Sequence, residues 1–138
     1  MWILDTNVMS ELMRQRPEPA VVAWLDAQAP ESLWTTSVTV FEVRFGLALM
    51  PEGRRREGLH EAFDILLAED LAGRVLDFDS PAATEAAVLA AHRQQAGRPV
   101  DWRDTQIAGI ARARRGALVT RNLRHFEDAG VRCLDPWA

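Results

Sequence analysis

The 138-residue sequence predicts one α/β domain spanning residues 1–138, with a central, mostly parallel sheet of about five short strands flanked by helices. Three observations lead there. Short apolar or β-branched runs alternate with longer helical stretches. Each short run is bounded by polar or turn residues, as buried parallel strands are. No internal repeat, low-complexity tract or linker divides the chain, whose length is sufficient to bury a core without disulfides.

In chain order, the first strand is Trp2–Leu4; it stops at Asp5-Thr6-Asn7, and a helix follows near Val8–Met13. A helical stretch at Ala20–Ala29 leads to a second strand, Leu33–Ser37, and a helix over Val38–Met50. Pro51-Glu52-Gly53 breaks this helix from the next, Arg55–Ala68, and reads as a turn within the domain. The third strand is Arg74–Phe78. Asp79-Ser80-Pro81 then opens a helix over Pro81–Ala96, with proline where its missing N–H costs least. A helix over Trp102–Arg114 is stopped by Gly116, and Leu118–Thr120 and Val131–Leu134 complete the strands.

Hydrophobic residues make up 48 % and charged residues 26 %, the balance of a soluble globular domain. Cys133 is the only cysteine, which excludes an intrachain disulfide or a cysteine zinc site and points to a reducing compartment, most simply the cytoplasm. No apolar run is long enough to span a bilayer, so no membrane partner is expected, and the N-terminus lacks the pattern of a signal peptide. His60, His92 and His125 have no metal-ligand spacing relative to one another, which argues against zinc.

The net charge of −4 argues against a protein held to nucleic acid by bulk charge. Yet all 16 basic residues are arginine, and nine of them lie between Arg93 and Arg132. Two readings stand open: a local phosphate-binding face on an acidic chain, because arginine pairs bidentately with phosphate, or the codon bias of a GC-rich genome.

In open α/β sheets ligands bind beyond the carboxyl ends of the strands, so the residues just after each strand are the ones to inspect. Asp5 follows the first strand directly. Asp5, Thr6 and Asn7 are all good helix caps, and capping alone would account for polar residues there. Glu42 lies in the opening turns of the helix after the second strand. In VTVFEVRFGLALM only Thr39, Glu42 and Arg44 are strongly polar, so this helix is expected to be buried on most sides. At about 100° per residue Glu42 lies beside Val38, Phe41, Phe45 and Leu49. A carboxylate there needs a partner: Arg44, another arginine, or a metal ion. Asp104 aligns with Ile107, Ala108 and Ala111 on the inward stripe of its helix. Asp101 reads as the N-cap of that helix, with Asp104 at N3 of a capping box as the alternative to a ligand role. Asn122 follows the fourth strand. Three acids from distant segments near one sheet edge suit a hard divalent cation such as Mg²⁺ or Mn²⁺, and metal-assisted phosphodiester or phosphoryl hydrolysis is the chemistry such a site supports.

The segments ILDTNVMSEL, TTSVTVFEVRFGLALMPEGRRR and GRPVDWRDTQIAGIARARRGALVTRNLRHFEDAGVRCLDPW together resemble the PIN-domain ribonucleases, in particular the VapC and FitB-like toxins of toxin–antitoxin modules. The likeness spans essentially the whole chain. It implies a metal-dependent endoribonuclease toxin with Asp5, Glu42 and Asp104 as catalytic and metal-binding acids and Mg²⁺ or Mn²⁺ as cofactor. Where the family often has a fourth acid, this chain has Asn122 in Thr120-Arg121-Asn122. Thr6, Asn7, Asn122, Asp101 and Ser37 are supporting candidates, and Arg121, Arg112 and Arg98 are candidates for contacting RNA. The implied partners are RNA, a cognate antitoxin with a DNA-binding domain, and a second copy of the chain. A different class of protein is also open: a catalytically weak or inactive PIN-fold binding protein that completes an operon repressor with its antitoxin. A phosphatase using Asp5 as nucleophile is weaker, since no lysine is present to hold the phosphate.

Overall fold

The computed structural model describes all residues 1–138. Five parallel strands, β1 (Trp2–Leu4), β2 (Leu33–Thr36), β3 (Val75–Leu76), β4 (Ala117–Val119) and β5 (Cys133–Leu134), form one sheet in the order β3-β2-β1-β4-β5. The helices are α1 (Thr6–Leu12), α2 (Pro19–Asp26), α3 (Ser37–Leu49), α4 (Arg54–Ile65), α5 (Ser80–Gln95) and α6 (Trp102–Arg114). Each expected strand and helix is present; the first strand and the last helix have the expected bounds, and the others have shifted ends. Ser37, read as the end of the second strand, is the first residue of α3, because Thr36 takes the cap position and accepts the Thr39 N–H at 3.1 Å.

The chain winds outward from β1 through β2 to β3, then crosses back to add β4 and β5 on the other side. Register pairs Leu4 with Val119 and Ile3 with Trp34, so the carboxyl ends of β1, β2 and β4 share one edge. The order reverses beside β1, the crevice where such sheets hold ligands.

Alternate strand residues face opposite layers. Ile3 and Leu118 pack with Leu89, Ile107 and Ile110 of α5 and α6, whereas Leu4 and Val119 pack with Val8, Met9, Val43 and Phe63 of α1, α3 and α4. Both layers are closed, which is why the strands read as continuous apolar runs. Gly109 permits the close approach of α5 and α6: a Cβ there would lie 2.6 Å from both the Ala82 carbonyl oxygen and the Ala86 Cβ. Gly109→Ala is therefore expected to lower stability by about 1–3 kcal/mol, as overpacking does, measured as a lower urea midpoint. An unchanged midpoint would contradict this close packing.

Two local expectations are corrected. Gly116 is not the left-handed residue that ends α6; Arg115 is, at φ 55°, and the Gly116 N–H returns to the Ala111 carbonyl at 3.0 Å. Gly116 matters instead for space, since a Cβ there would lie 2.7 Å from Ile3 Cδ1. Helix α3 is not buried on most sides either. Phe41, Phe45 and Leu49 are 59 %, 45 % and 72 % exposed, because α3 turns only Val38, Thr39, Val43 and Leu47 toward the core. No helix is long and apolar enough to cross a membrane.

Candidate active site

Asp5 stands at the switch point, on the residue after β1, and is 3 % exposed. Its N–H donates to the Val119 carbonyl at 3.0 Å, continuing the β1–β4 ladder by one residue. That register sets Thr120 beside it, and the Thr120 hydroxyl donates to Asp5 Oδ2 at 2.8 Å. Asp5 Oδ1 accepts the Thr6 N–H at 2.8 Å. The cap of α1 is thus Asp5 itself, and capping and site placement coexist in one carboxylate. Asn7 ties this turn to the end of β4: its Nδ2 donates to the Thr120 hydroxyl at 3.2 Å and its Oδ1 accepts the Arg121 N–H at 3.1 Å.

Glu42 projects from the second turn of α3 toward the same edge. Its Oε1 accepts the Thr6 hydroxyl at 3.0 Å, and Thr6 also lies 3.2 Å from the Thr39 hydroxyl. Its charged neighbour is Arg103, with Nη1 3.6 Å from Oε2. Arg44, the nearer candidate in sequence, points away and pairs with Asp64 at 2.6 Å.

Asp104 enters from the first turn of α6. The Asp101 side chain caps that helix by accepting the Asp104 N–H at 3.0 Å, as the capping reading expects. The Asp104 carboxylate is free of that bond, and its Oδ2 accepts from His125 Nδ1 at 2.8 Å. Thr120 and His125 are the two site residues that sequence reasoning missed. Both follow β4, and the sheet-edge rule that selected Asn122 covers Thr120 equally.

The three carboxyls respond to one another. Burial raises the pKa of Asp5, opposed by the Thr120 and Thr6 hydrogen bonds and reinforced by repulsion from Asp104. Burial raises Glu42, with Thr6 and Arg103 opposing and Asp5 reinforcing. Burial and repulsion from Asp101 raise Asp104, with His125 opposing and Glu42 reinforcing. Geometry brings them to one edge: Thr6, next to Asp5, donates to Glu42 at 3.0 Å, and Arg103, next to Asp104, lies 3.6 Å from Glu42. As the side chains lie, however, no three acidic, histidine or cysteine groups are gathered closely enough to ligate one ion. His125 holds Asp104, while Thr6 and Arg103 engage Glu42. Direct ligation of one ion by all three acids at once is not the arrangement present.

The other candidates scatter. Ser37 uses its hydroxyl to accept the Phe78 N–H at 3.1 Å, which joins α3 to the end of β3 and leaves the acids alone. Asn122 is exposed and donates its N–H to the Thr120 hydroxyl at 3.0 Å. Arg121 lies 4.9 Å from the centroid of the Trp137 ring. Arg98 borders the Asp104 side of the site. Arg112 is removed from it: eight residues, or about 12 Å, farther along α6, it pairs with Glu85 at 3.1 Å near the opposite end of the sheet.

With this geometry in place, comparison with known proteins is informative. The PIN domain profile matches residues 2–131. The VapC ribonuclease Y4jK of Sinorhizobium fredii is 42 % identical over 137 residues, covering 99 % of this chain and 98 % of that protein. The crystal structure of FitAcB from Neisseria gonorrhoeae superposes with a TM-score of 0.89 at 36 % identity, covering 99 % of each chain. The crystal structure of DNA-bound VapBC from Salmonella typhimurium follows at 0.80 and 30 % identity, covering 99 % of this chain and 98 % of that one. A profile matching nearly the whole chain, and a sheet and acid cluster arranged as described, make one assignment: the chain belongs to the PIN-domain family, in the group that includes the VapC and FitB proteins.

Proposed function

We propose that the protein is a divalent-metal-dependent endoribonuclease, the toxin of a toxin–antitoxin pair. The observation that carries this reading is the placement of three acids at one strand edge: Asp5 ends β1, Thr6 beside it donates to Glu42 at 3.0 Å, and Arg103 beside Asp104 lies 3.6 Å from Glu42. Such a cluster works against folding when ionised, and a cation among the carboxylates would relieve the repulsion. The donor set is all oxygen, which fits Mg²⁺ or Mn²⁺, and these ions commonly take one or two carboxylates and keep waters for the remaining positions. Asp5, Glu42 and Asp104 would hold it between them, one or two directly and the rest through its waters. When bound, the ion supplies an acidified water and neutralises charge on the phosphate.

The chain's own residues do the positioning. Thr120 and the Thr6 N–H fix the two oxygens of Asp5, Thr6 orients Glu42, and His125 orients Asp104; fixed orientation of this kind is what outer-shell partners supply to a metal site. Asp5, on a rigid strand end, has the least freedom of the three. The name of the Y4jK relative supports RNA as the substrate. The DNA-bound VapBC complex supports a cognate antitoxin whose DNA-binding part brings the pair to an operator. The exposed Phe41, Phe45 and Leu49 stripe suits burial against a second chain, and we assign the protein to a homodimer.

One observation favours the other reading, a binding protein that acts mainly within a repressor complex: the neutral Asn122 stands where a fourth acid would add charge. RNA cleavage separates the two. The purified protein is expected to cut single-stranded RNA with Mn²⁺ or Mg²⁺ and to stop when EDTA is added. Cleavage unaffected by EDTA, or no cleavage with either ion, would overturn the enzymatic reading.

A further inference from the structure

Beside the acid cluster lies a second concavity of about 270 Å³, formed by Arg98, Pro99, Asp101, Asp104, Arg124 and His125 over the buried Arg93. We infer that this pocket binds a phosphate of single-stranded RNA next to the one being cleaved, with Arg98 and Arg124 as its ligands and Asp104 as the wall it shares with the acid cluster. The inference rests on the ribonuclease reading and adds to it the side of the site along which the strand continues.

Three observations carry it. Apart from the Pro99 ring no apolar side chain lines the pocket, so an amphipathic peptide would find little there to bury, whereas a phosphate needs only donors and charge. Arg124 takes part in none of the chain's ion pairs, and the pairs of Arg98 are long, 3.4 Å to Glu127 and 3.7 Å to Asp128. Two guanidinium groups are therefore available at the border of an otherwise acidic site. Third, the pocket is built. Arg93 is 4 % exposed. It donates to the Thr105 hydroxyl at 2.9 Å, to the His125 carbonyl at 2.7 Å and to both Asp128 oxygens at 2.9 and 2.8 Å. This one guanidinium clamps the Leu123–Phe126 turn, which carries Arg124 and His125, onto α6, which carries Asp104. His125 closes the seam by donating to Asp104 at 2.8 Å. The clamp thus fixes the turn that carries Arg124 against the helix that carries Asp104, and the Arg98 N–H, donating to the Arg93 carbonyl at 2.8 Å, ties the second arginine's backbone to the same residue.

The test measures binding apart from cleavage. A short fluorescein-labelled single-stranded RNA of mixed sequence is titrated, without divalent ion, into wild-type protein, the Arg98→Gln/Arg124→Gln double variant and Arg112→Gln. The double variant is expected to lose roughly tenfold in affinity near 0.15 M salt and to lower the salt slope by about 0.7, the share of the one phosphate held there on a single strand. Arg112→Gln is expected to match wild type in both. With Mn²⁺ present, the double variant should raise KM for the same RNA while kcat at saturation changes by less than about twofold. Wild-type affinity and slope in the double variant would overturn the pocket. So would unchanged RNA binding together with a weakened complex with the antitoxin, which would give these arginines to the protein partner. A protein that binds RNA with the expected slopes but cuts none leaves the pocket standing and removes the ribonuclease reading, so the two failures are distinct. Circular dichroism on the variants guards against misfolding, and Arg98→Lys/Arg124→Lys, which retains charge, should recover part of the salt slope.

Discussion

Asp5→Asn is expected to leave the protein folded and to reduce RNA hydrolysis to the background of the assay. The substitution keeps the shape and one of the three bonds that anchor the carboxylate, since an amide oxygen at Oδ1 still accepts the Thr6 N–H. It removes the charge at the most buried of the three acids, and with it the strongest reason for a hard cation to settle at the strand edge. Both bonds to Oδ2 are lost, because an amide nitrogen there would face the donors Asn7 Nδ2 and Thr120 Oγ1. The Thr120 hydroxyl donates to Asp5 Oδ2 and already accepts from Asn7 Nδ2 and the Asn122 N–H, so it has no acceptor for its proton and no room for another donor. That costs about 1 kcal/mol. Against it stands relief from repulsion by Asp104 and from burying a charge. The two effects oppose, and the thermal midpoint should stay within a few degrees of wild type. Loss of cleavage with retained fold identifies chemistry. Cleavage at the wild-type rate would show that Asp5 serves the fold as a helix cap and little else.

Arg93→Leu is expected to cost about 3–5 kcal/mol of stability, the scale of breaking a buried ion pair by removing one partner. The reason is the accounting of its bonds. The Arg93 guanidinium meets Asp128 bidentately, at 2.9 and 2.8 Å, in a place where the two side chains are 5 % and 9 % exposed. Leucine removes all of the donors at once and leaves the Asp128 carboxylate with only the distant Arg98, 3.7 Å away. Lysine is no substitute, because a point charge cannot span both oxygens and the His125 carbonyl. Urea unfolding measures the effect, and a loss below about 1 kcal/mol would contradict it. The pH dependence has a definite sign. The Arg93 hydrogen bonds hold the Asp128 pKa below its usual value of 3.8. The unfolded chain therefore binds more protons than the folded one in the range below 3.8, and stability falls as the pH drops through that range. In the leucine variant this contribution to acid unfolding should largely vanish.

The sheet was legible in the sequence because parallel strands covered on both faces have no alternative to short apolar runs. Asp5 was legible too: a carboxylate directly after such a run occupies a predictable place in an open α/β sheet. Glu42 and Asp104 were singled out by helix periodicity, and Glu42 does come to Thr6 beside Asp5, but the premise that selected it does not hold. Its helix was expected to be enclosed, whereas Phe41 and Phe45 on either side of it are open to solvent, stacked at 5.9 Å between ring centroids. Periodicity shows that apolar residues share a face, and gives no indication whether this chain or another one covers it. What stayed hidden depends on register and on turns. Thr120 meets Asp5 across 115 positions because Leu4 pairs with Val119, and no local pattern encodes that pairing. His125 and Arg93 meet at the site through a turn of four residues, Leu123–Phe126, too short to carry a hydrophobic period. Arg112 misled for the complementary reason: clustering in sequence placed it with the other arginines, while the length of α6 carries it to the far end.

The central claim is that the Asp5, Glu42 and Asp104 cluster takes up a divalent cation, and calorimetric titration of Mn²⁺ into the RNA-free protein addresses it without reference to cleavage. Wild-type protein should show saturable binding that weakens in mild acid. Folding raises the three carboxyl pKa values, so protons compete with the ion, and binding should release protons, detectable as a heat that varies with the ionisation enthalpy of the buffer. Asp5→Asn should show no comparable binding. Absence of Mn²⁺ binding by the wild-type protein, or equal affinity in the asparagine variant, would contradict the account.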